Sequence, residues 1–161
     1  IETWVSLAIY ANEKDIPFMI WEPMSISREF GETLMTAEYI QNKFDDRTNG
    51  SVKMCFDVDH GDIQSKNPDD LNPYKWIEKF SYAIECIHLK QSSKNKSGHW
   101  PFLDEFNETG KILRDEFSNS IKTNFTRDID LFLELSFRER NPVDYKAPEY
   151  IRKSAEYWIG Q

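Results

Sequence analysis

Four apolar runs in the sequence each end in a side chain that can bind a metal ion. The runs and their last residues are 17–22 with Glu22, 52–57 with Asp57, 83–88 with His88 and 129–134 with Glu134. One such residue alone is commonly a helix cap or an ion-pair partner. Four in the same position are not explained in that way, so we predict one metal site at Glu22, Asp57, His88 and Glu134.

The ligand types restrict the metal without naming it. Three carboxylates and one imidazole form an oxygen-rich set, which favours Mn²⁺ or Mg²⁺, tolerates Co²⁺ and leaves Zn²⁺ possible. We therefore expect one divalent metal ion as cofactor.

Helical patterns alternate with these apolar runs, which we interpret as β-strands. The predicted helices are 2–13, 28–44 after a cap at Ser27, 72–80, 109–122 and 149–159, and residues 90–104 are predicted as a loop. Strands that alternate with helices call for a parallel sheet with right-handed crossovers. The fold class is therefore α/β.

Two parallel architectures fit four βα units. An open flavodoxin-like sheet satisfies the pattern, but functional residues at the ends of several strands favour a (β/α)₈ TIM barrel. Such a barrel needs about 250 residues, and this chain has 161, enough for one domain. Residues 1–161 are thus predicted to be a single domain, the C-terminal half of a TIM barrel whose N-terminal half is absent. The opening at Ile1, with no initiator Met, agrees with a truncated parent chain.

The strand-end motifs resemble those of a known family. The motifs are Trp21-Glu22-Pro23-Met24-Ser25, Cys55-Phe56-Asp57-Val58-Asp59-His60, Ile87-His88-Leu89-Lys90 and Leu133-Glu134-Leu135-Ser136-Phe137. They are similar to the metal motifs of xylose-isomerase-like sugar epimerases, in particular the ketose 3-epimerases, which include tagatose, psicose and erythrulose-phosphate epimerases.

This resemblance implies roles for individual residues. Glu22, Asp57, His88 and Glu134 match the family's metal ligands. Glu22 and Glu134 also match the catalytic pair, in which one carboxylate removes a proton and the other delivers one. His60 completes an Asp-x-x-His motif with Asp57 and resembles a histidine that hydrogen-bonds a substrate oxygen.

The chain departs from the free-sugar epimerases after the third strand. They carry His-x-x-Glu-x-x-Arg, where this chain has His88-x-x-Gln91-x-x-Lys94. Their mode of substrate recognition therefore cannot be transferred to this sequence.

A basic loop replaces that motif. No acidic residue occurs between Glu85 and Asp104, whereas Lys90, Lys94, Lys96 and His99 do, and Arg138 follows the fourth strand. Because the loops after the last two barrel strands commonly hold phosphate, we predict a substrate phosphate near Lys90, Lys94 and Arg138.

The sequence therefore favours a metal-dependent epimerase or isomerase of a short, erythrulose-phosphate-like ketose phosphate, acting through an enediolate. A free-ketose 3-epimerase is the alternative within the family. A non-catalytic barrel fragment or interaction module remains open, and a zinc-dependent apurinic endonuclease is disfavoured by only three His and a net charge of -8.

Composition limits the partners. The net charge of -8 argues against nucleic-acid binding, and no apolar run approaches the roughly 20 residues that span a bilayer. Cys55 and Cys86 lie in apolar runs, which indicates buried thiols and a reducing, cytoplasmic location. The expected partner is a small sugar or sugar phosphate, with the intact protein a homo-oligomer.

Overall fold

The computed structural model describes residues 1–93, 96–136 and 144–160, apart from the side chains of residues 96, 97 and 144. Its elements in chain order are α1 (Glu2–Glu13), β1 (Met19–Trp21), α2 (Leu34–Thr48), β2 (Val52–Asp57), α3 (Pro73–Phe80), β3 (Ile84–Leu89), β4 (Gln91–Ser93), β5 (Lys96–Trp100), α4 (Asp104–Asn107), α5 (Arg114–Asn124), β6 (Asp130–Leu133) and α6 (Ala147–Ile159). Short 3₁₀ helices occupy Pro68–Leu71 and Asp144–Lys146.

Four strands form one parallel sheet in the order β1-β2-β3-β6. This confirms the α/β prediction, because each strand reaches its parallel neighbour through a helical crossover. Asp57 pairs with His88 across β2 and β3, and Leu89 pairs with Leu133 across β3 and β6. The strand ends therefore lie along one edge of the sheet.

Large aromatic side chains hold the helices against the sheet. Trp76 of α3 stacks on Phe56 of β2 at 5.8 Å between ring centroids and contacts Phe80 at 5.6 Å. Trp158 of α6 meets Phe117 of α5 at 5.3 Å. These rings belong to one buried cluster, which supplies most of the apolar burial that stabilises the fold.

Two predicted helix starts were wrong. The second helix begins at Leu34, not at residue 28, because Gly31 has a φ of +82° and Thr33 forms a capping box with Thr36. The helix predicted from residue 109 begins at Arg114. The strands agree with the predicted runs to within about two residues, the scatter usual for element ends.

The largest correction concerns residues 90–104. They were predicted as a loop, but β4 and β5 form an antiparallel hairpin in which Gln91 pairs with Trp100. This hairpin lies directly after β3, so it brings a second layer of residues to the strand-end edge.

The outer strands β1 and β6 leave apolar side chains exposed. Ile20 of β1 is 40% exposed, and Leu131 and Phe132 of β6 are 42% and 53% exposed. Within the described ranges, no helix is both long and apolar enough to traverse a bilayer.

Candidate metal centre

The alternation of side chains along the strands assembles the site. Asp57 is the last residue of β2, and His88 lies beside it on β3. Lys90 follows His88 by two residues and shares its face of the chain, because successive strand side chains point to opposite sides. Glu22 and Glu134 directly follow β1 and β6. The structure thus brings together all four residues predicted as metal ligands.

His88 lies at the centre of this group. Its Nδ1 atom is 3.5 Å from Glu22 Oε1 and 3.6 Å from Glu134 Oε2. One ligand atom each from Asp57, His88 and Glu134 fit within 4.8 Å of one another. His88 Nδ1 is buried and has no hydrogen-bond partner within the described residues. A buried, unpartnered imidazole nitrogen among carboxylates fits a divalent metal ion, because neutral imidazole and carboxylate oxygens are its ligands.

His60 lies on the other side of Asp57. Its Nδ1 atom is 2.6 Å from the carbonyl oxygen of Pro23, and a carbonyl only accepts, so His60 carries a proton on Nδ1. Its Nε2 atom is 3.3 Å from Asp57 Oδ2. Glu22, Asp57 and His60 also offer ligand atoms within 4.8 Å of one another, so His60 Nε2 faces the site as a polar group for metal or substrate.

Lys90 was predicted to contact a phosphate in an open loop, but the structure buries it among carboxylates. Only 1% of its side chain is exposed, and its ammonium donates to Asp57 Oδ2 and to Glu134 Oε2 at 3.1 Å. Burial opposes the charge on Lys90, but Asp57 and Glu134 outweigh it and raise the pKa of Lys90. Lys90 is thus a fixed cation between two of the proposed ligands.

The pKa values of Asp57 and Glu134 shift in opposite directions. Burial raises the pKa of Asp57 to about 6 despite the nearby His60 and Lys90. Burial also opposes ionisation of Glu134, but hydrogen bonds from Asp57 and Lys90 lower the pKa of Glu134. Asp57 therefore retains a proton to a higher pH than an ordinary carboxyl group, while Glu134 is held as a carboxylate.

The hairpin adds His99 to the site. His99 Nε2 is 2.9 Å from Lys90 Nζ and 3.7 Å from Glu134 Oε1. The Ser136 amide donates to the His99 carbonyl at 3.1 Å, which ties β5 to the segment after β6.

A buried carboxylate anchors the hairpin. Asp59 accepts hydrogen bonds from Ser92 Oγ at 2.6 Å and from the Gly98 amide at 3.1 Å, and Lys111 Nζ lies 3.4 Å from it. Asp59 therefore links the loop after β2 to both strands of the hairpin.

Gln91 stands where the free-sugar motif has a glutamate, and its contacts are with the protein backbone. It is fully buried, accepts from the Ile112 amide at 3.0 Å and donates to the Ile112 carbonyl at 2.8 Å. A Cβ atom at Gly110 would lie 2.3 Å from the Gln91 amide nitrogen, so glycine makes room for this side chain.

Lys94 and Arg138 lie outside the described residues. Their predicted contacts with phosphate therefore stay predictions. The sequence predicts no role for Asp59 and includes His99 only as one basic residue of the loop. The available signal for Asp59 was the two-residue spacing from Asp57, and for His99 a histidine in a loop that follows a strand carrying a proposed ligand.

Fold and motifs together define the class: the chain has the fold of xylose-isomerase-like TIM barrels. A crystal structure from Rhodospirillum rubrum, described as a xylose isomerase, superposes with a TM-score of 0.78 over 98% of this chain and 52% of that chain. At 18% identity, this likeness concerns the fold alone.

One relative in particular is D-erythrulose 1-phosphate 3-epimerase from Brucella abortus, which is 37% identical over 160 residues, or 98% of this chain. The chain spans about half of that relative, 51% of its length. No known family profile matches the chain. The resemblance to xylose-isomerase-like sugar epimerases that the strand ends predicted is thus confirmed.

Proposed function

We propose that this chain is the metal-binding and proton-transferring half of a ketose-phosphate 3-epimerase. The observation that carries the proposal is the unpartnered Nδ1 atom of His88, which lies 3.5 Å from Glu22 and 3.6 Å from Glu134, together with the ligand atoms of Asp57, His88 and Glu134 that lie within 4.8 Å of one another. The relative that acts on D-erythrulose 1-phosphate supports a phosphorylated substrate.

Glu22, Asp57, His88 and Glu134 would hold one divalent ion, with Mn²⁺, Mg²⁺ and Co²⁺ the expected metals and Zn²⁺ an option. Bound there, the ion would act as a Lewis acid that polarises the substrate carbonyl and stabilises negative charge on its oxygen.

Glu22 and Glu134 exchange protons with the substrate carbon in this proposal. They extend from strands at opposite edges of the four-stranded sheet, so they can address opposite faces of a sugar bound between them. One removes a proton to form the enediolate, and the other returns a proton to the opposite face, which inverts the carbon. Lys90 keeps Glu134 ionised and oriented, and His60, whose Nδ1 proton is held by the Pro23 carbonyl, presents Nε2 to a substrate hydroxyl.

The chain would act as the C-terminal half of a complete barrel. The exposed residues on β1 and β6 are the surfaces that such a barrel would cover. We expect residues 1–161 alone to be catalytically silent, since half of the enclosure is missing. Light scattering and an epimerase assay on this segment test the point, and a monomer with full activity would show that it is a complete domain.

The cellular setting is part of the proposal. Cys55 and Cys86 are buried free thiols, which supports a reducing, cytoplasmic location. A soluble homo-oligomer that binds a small sugar phosphate, with no nucleic-acid or membrane partner, fits the acidic charge of the chain.

The decisive experiment uses the full-length protein with D-erythrulose 1-phosphate in deuterated water. We expect epimerisation at C3, deuterium at that carbon in the product, and loss of both after treatment with a chelator, with recovery on adding Mn²⁺. Epimerisation without deuterium uptake would contradict the enediolate route. Full activity in the chelated protein would contradict the metal site.

A further inference from the structure

His99 is the one histidine of this chain with no individually predicted role, since the sequence only places it in the basic loop, yet the hairpin brings it to the site. Its Nε2 atom lies 2.9 Å from Lys90 Nζ and 3.7 Å from Glu134 Oε1. The Ser136 amide donates a hydrogen bond to the His99 carbonyl, which holds the backbone of β5 beside the segment that follows β6. The ring is therefore held next to a proposed acid–base residue.

Lys90 determines which ring nitrogen of His99 carries a proton. A lysine ammonium has three N–H donors and no acceptor. Lys90 Nζ has three acceptors within reach, namely Asp57 Oδ2, Glu134 Oε2 and His99 Nε2. His99 Nε2 must therefore accept, which places the proton of the neutral ring on Nδ1.

The neutral form of His99 agrees with its surroundings. Burial and the neighbouring Lys90 charge lower the pKa of His99, although Glu134 and Asp59 act in the opposite direction. The tautomer itself follows from the hydrogen-bond geometry and needs no titration.

The Nδ1–H group of His99 is available to a ligand. The side chain is 40% exposed, and Nδ1 has no hydrogen-bond partner within the described part of the chain. An N–H donor on a ring that is anchored at its other nitrogen is preorganised for binding, because little side-chain freedom is lost when the ligand arrives.

We propose that His99 is a substrate-binding residue that donates Nδ1–H to an oxygen atom of the sugar phosphate bound beside Glu134, with Lys90 fixing its tautomer. This inference rests on the proposed function. The hairpin, anchored on Asp59, is the element that delivers this donor.

Two substitutions separate the two nitrogens of His99. In His99→Asn the side-chain amide nitrogen lies as many bonds from Cβ as Nδ1 does, so it can replace the donor to substrate. In His99→Gln the amide group lies at the distance of Nε2, so it can replace the contact with Lys90. His99→Ala removes both groups.

In the full-length enzyme with D-erythrulose 1-phosphate, we expect kcat/KM to fall about 10- to 100-fold in His99→Ala and His99→Gln, mainly through KM, as for a lost hydrogen bond to a substrate. We expect His99→Asn to stay within about threefold of wild type. The calorimetric Mn²⁺ affinity and the Tm of all three variants should equal those of wild type. If His99 had only a structural role, its substitution would lower one or both.

A nitrogen-15 NMR spectrum of the wild-type imidazoles reads the tautomer independently of activity, and a proton on Nδ1 of His99 is expected. A proton on Nε2, or an Asn variant as weak as Ala in an active enzyme, would overturn the inference while leaving the proposed function intact. A wild-type enzyme with no activity on the ketose phosphate would overturn the proposed function instead, and the spectrum would still report the tautomer.

Discussion

The strand ends and the β4–β5 hairpin contribute to the same site by different physical means. Asp57, His88 and Glu134 are positioned by strand register, in which each backbone hydrogen bond fixes the level of the next strand. His99 is positioned by side-chain contacts to the hairpin, above all those of Asp59. The parallel sheet carries the proposed chemistry, and the hairpin carries the proposed substrate contact.

This difference has a consequence for how the two regions respond to substitution. A strand-end carboxylate can change without moving its neighbours, because the backbone ladder holds them. A hairpin residue depends on one buried carboxylate, so its position changes when that anchor is lost. Metal affinity and substrate affinity should therefore respond to different residues.

The largest effect is expected at Glu134. Glu134→Gln keeps the size of the side chain but removes a proton acceptor, so turnover should fall at least about 10²- to 10⁴-fold at saturating Mn²⁺. The measurement is kcat for the ketose phosphate, with Glu78→Gln on the exposed side of α3 as the matched control. Near-normal turnover with metal retained would remove Glu134 from the mechanism.

The second effect is the pH dependence of Mn²⁺ affinity, which involves the strand-end residues alone. Because burial raises the pKa of Asp57 to about 6, this carboxyl is ionised above that pH and gains a proton as the pH falls through it. A protonated carboxyl does not bind the metal ion, so apparent Mn²⁺ affinity should fall at least about tenfold for each pH unit below that value.

Calorimetry on the full-length protein between pH 5 and 8 measures this dependence, with tryptophan fluorescence as a check that the fold persists. The hairpin variant His99→Asn should give the same profile as wild type. An affinity that is constant across the range would contradict the assigned behaviour of Asp57.

The strand-end region was predictable because its information is local. The apolar runs before Glu22, Asp57, His88 and Glu134 mark buried strands, and parallel pairing brings their carboxyl ends to one edge. The position of Lys90 could also have been inferred, since it follows His88 by two residues on the same face. The positive charge of Lys90 favours an open loop, but the alternation of side chains along β3 places it beside the carboxylates.

The hairpin could not be predicted in the same way. Residues 91–100 are mostly polar and lack the apolar alternation of a half-buried strand. Their pairing depends on Asp59, Gln91 and Gly110, which lie far apart in sequence. Such long-range contacts between polar groups leave no periodic signal in a single sequence.

The third effect concerns the predicted contact between Lys94 and the substrate phosphate. Lys94→Ala should lower kcat/KM for D-erythrulose 1-phosphate about 10- to 30-fold, as for one lost charge-assisted hydrogen bond. The kcat/KM for free erythrulose should be unchanged, because that sugar has no phosphate. Lys75→Ala, an exposed lysine on α3, is the control. Equal use of both sugars by wild type and variant would favour a free-ketose epimerase.

The smallest effect is expected at Asp59, and it tests whether the two regions are separable. Asp59→Asn keeps the shape of the side chain but turns one acceptor into a donor, which conflicts with the Ser92 hydroxyl or the Gly98 amide, and it removes the charge near Lys111. We expect kcat/KM for the ketose phosphate to fall about 5- to 10-fold, as for one weakened hydrogen bond, because the hairpin no longer holds His99 in place.

Mn²⁺ affinity should stay within about twofold of wild type, since the strand ladder that holds the carboxylates is unchanged. Asp62→Asn is the matched control, because Asp62 lies in the same loop and its side chain accepts only from the Gln64 amide among the described contacts. Equal losses of metal and substrate affinity in Asp59→Asn would show that strand ends and hairpin form one cooperative unit.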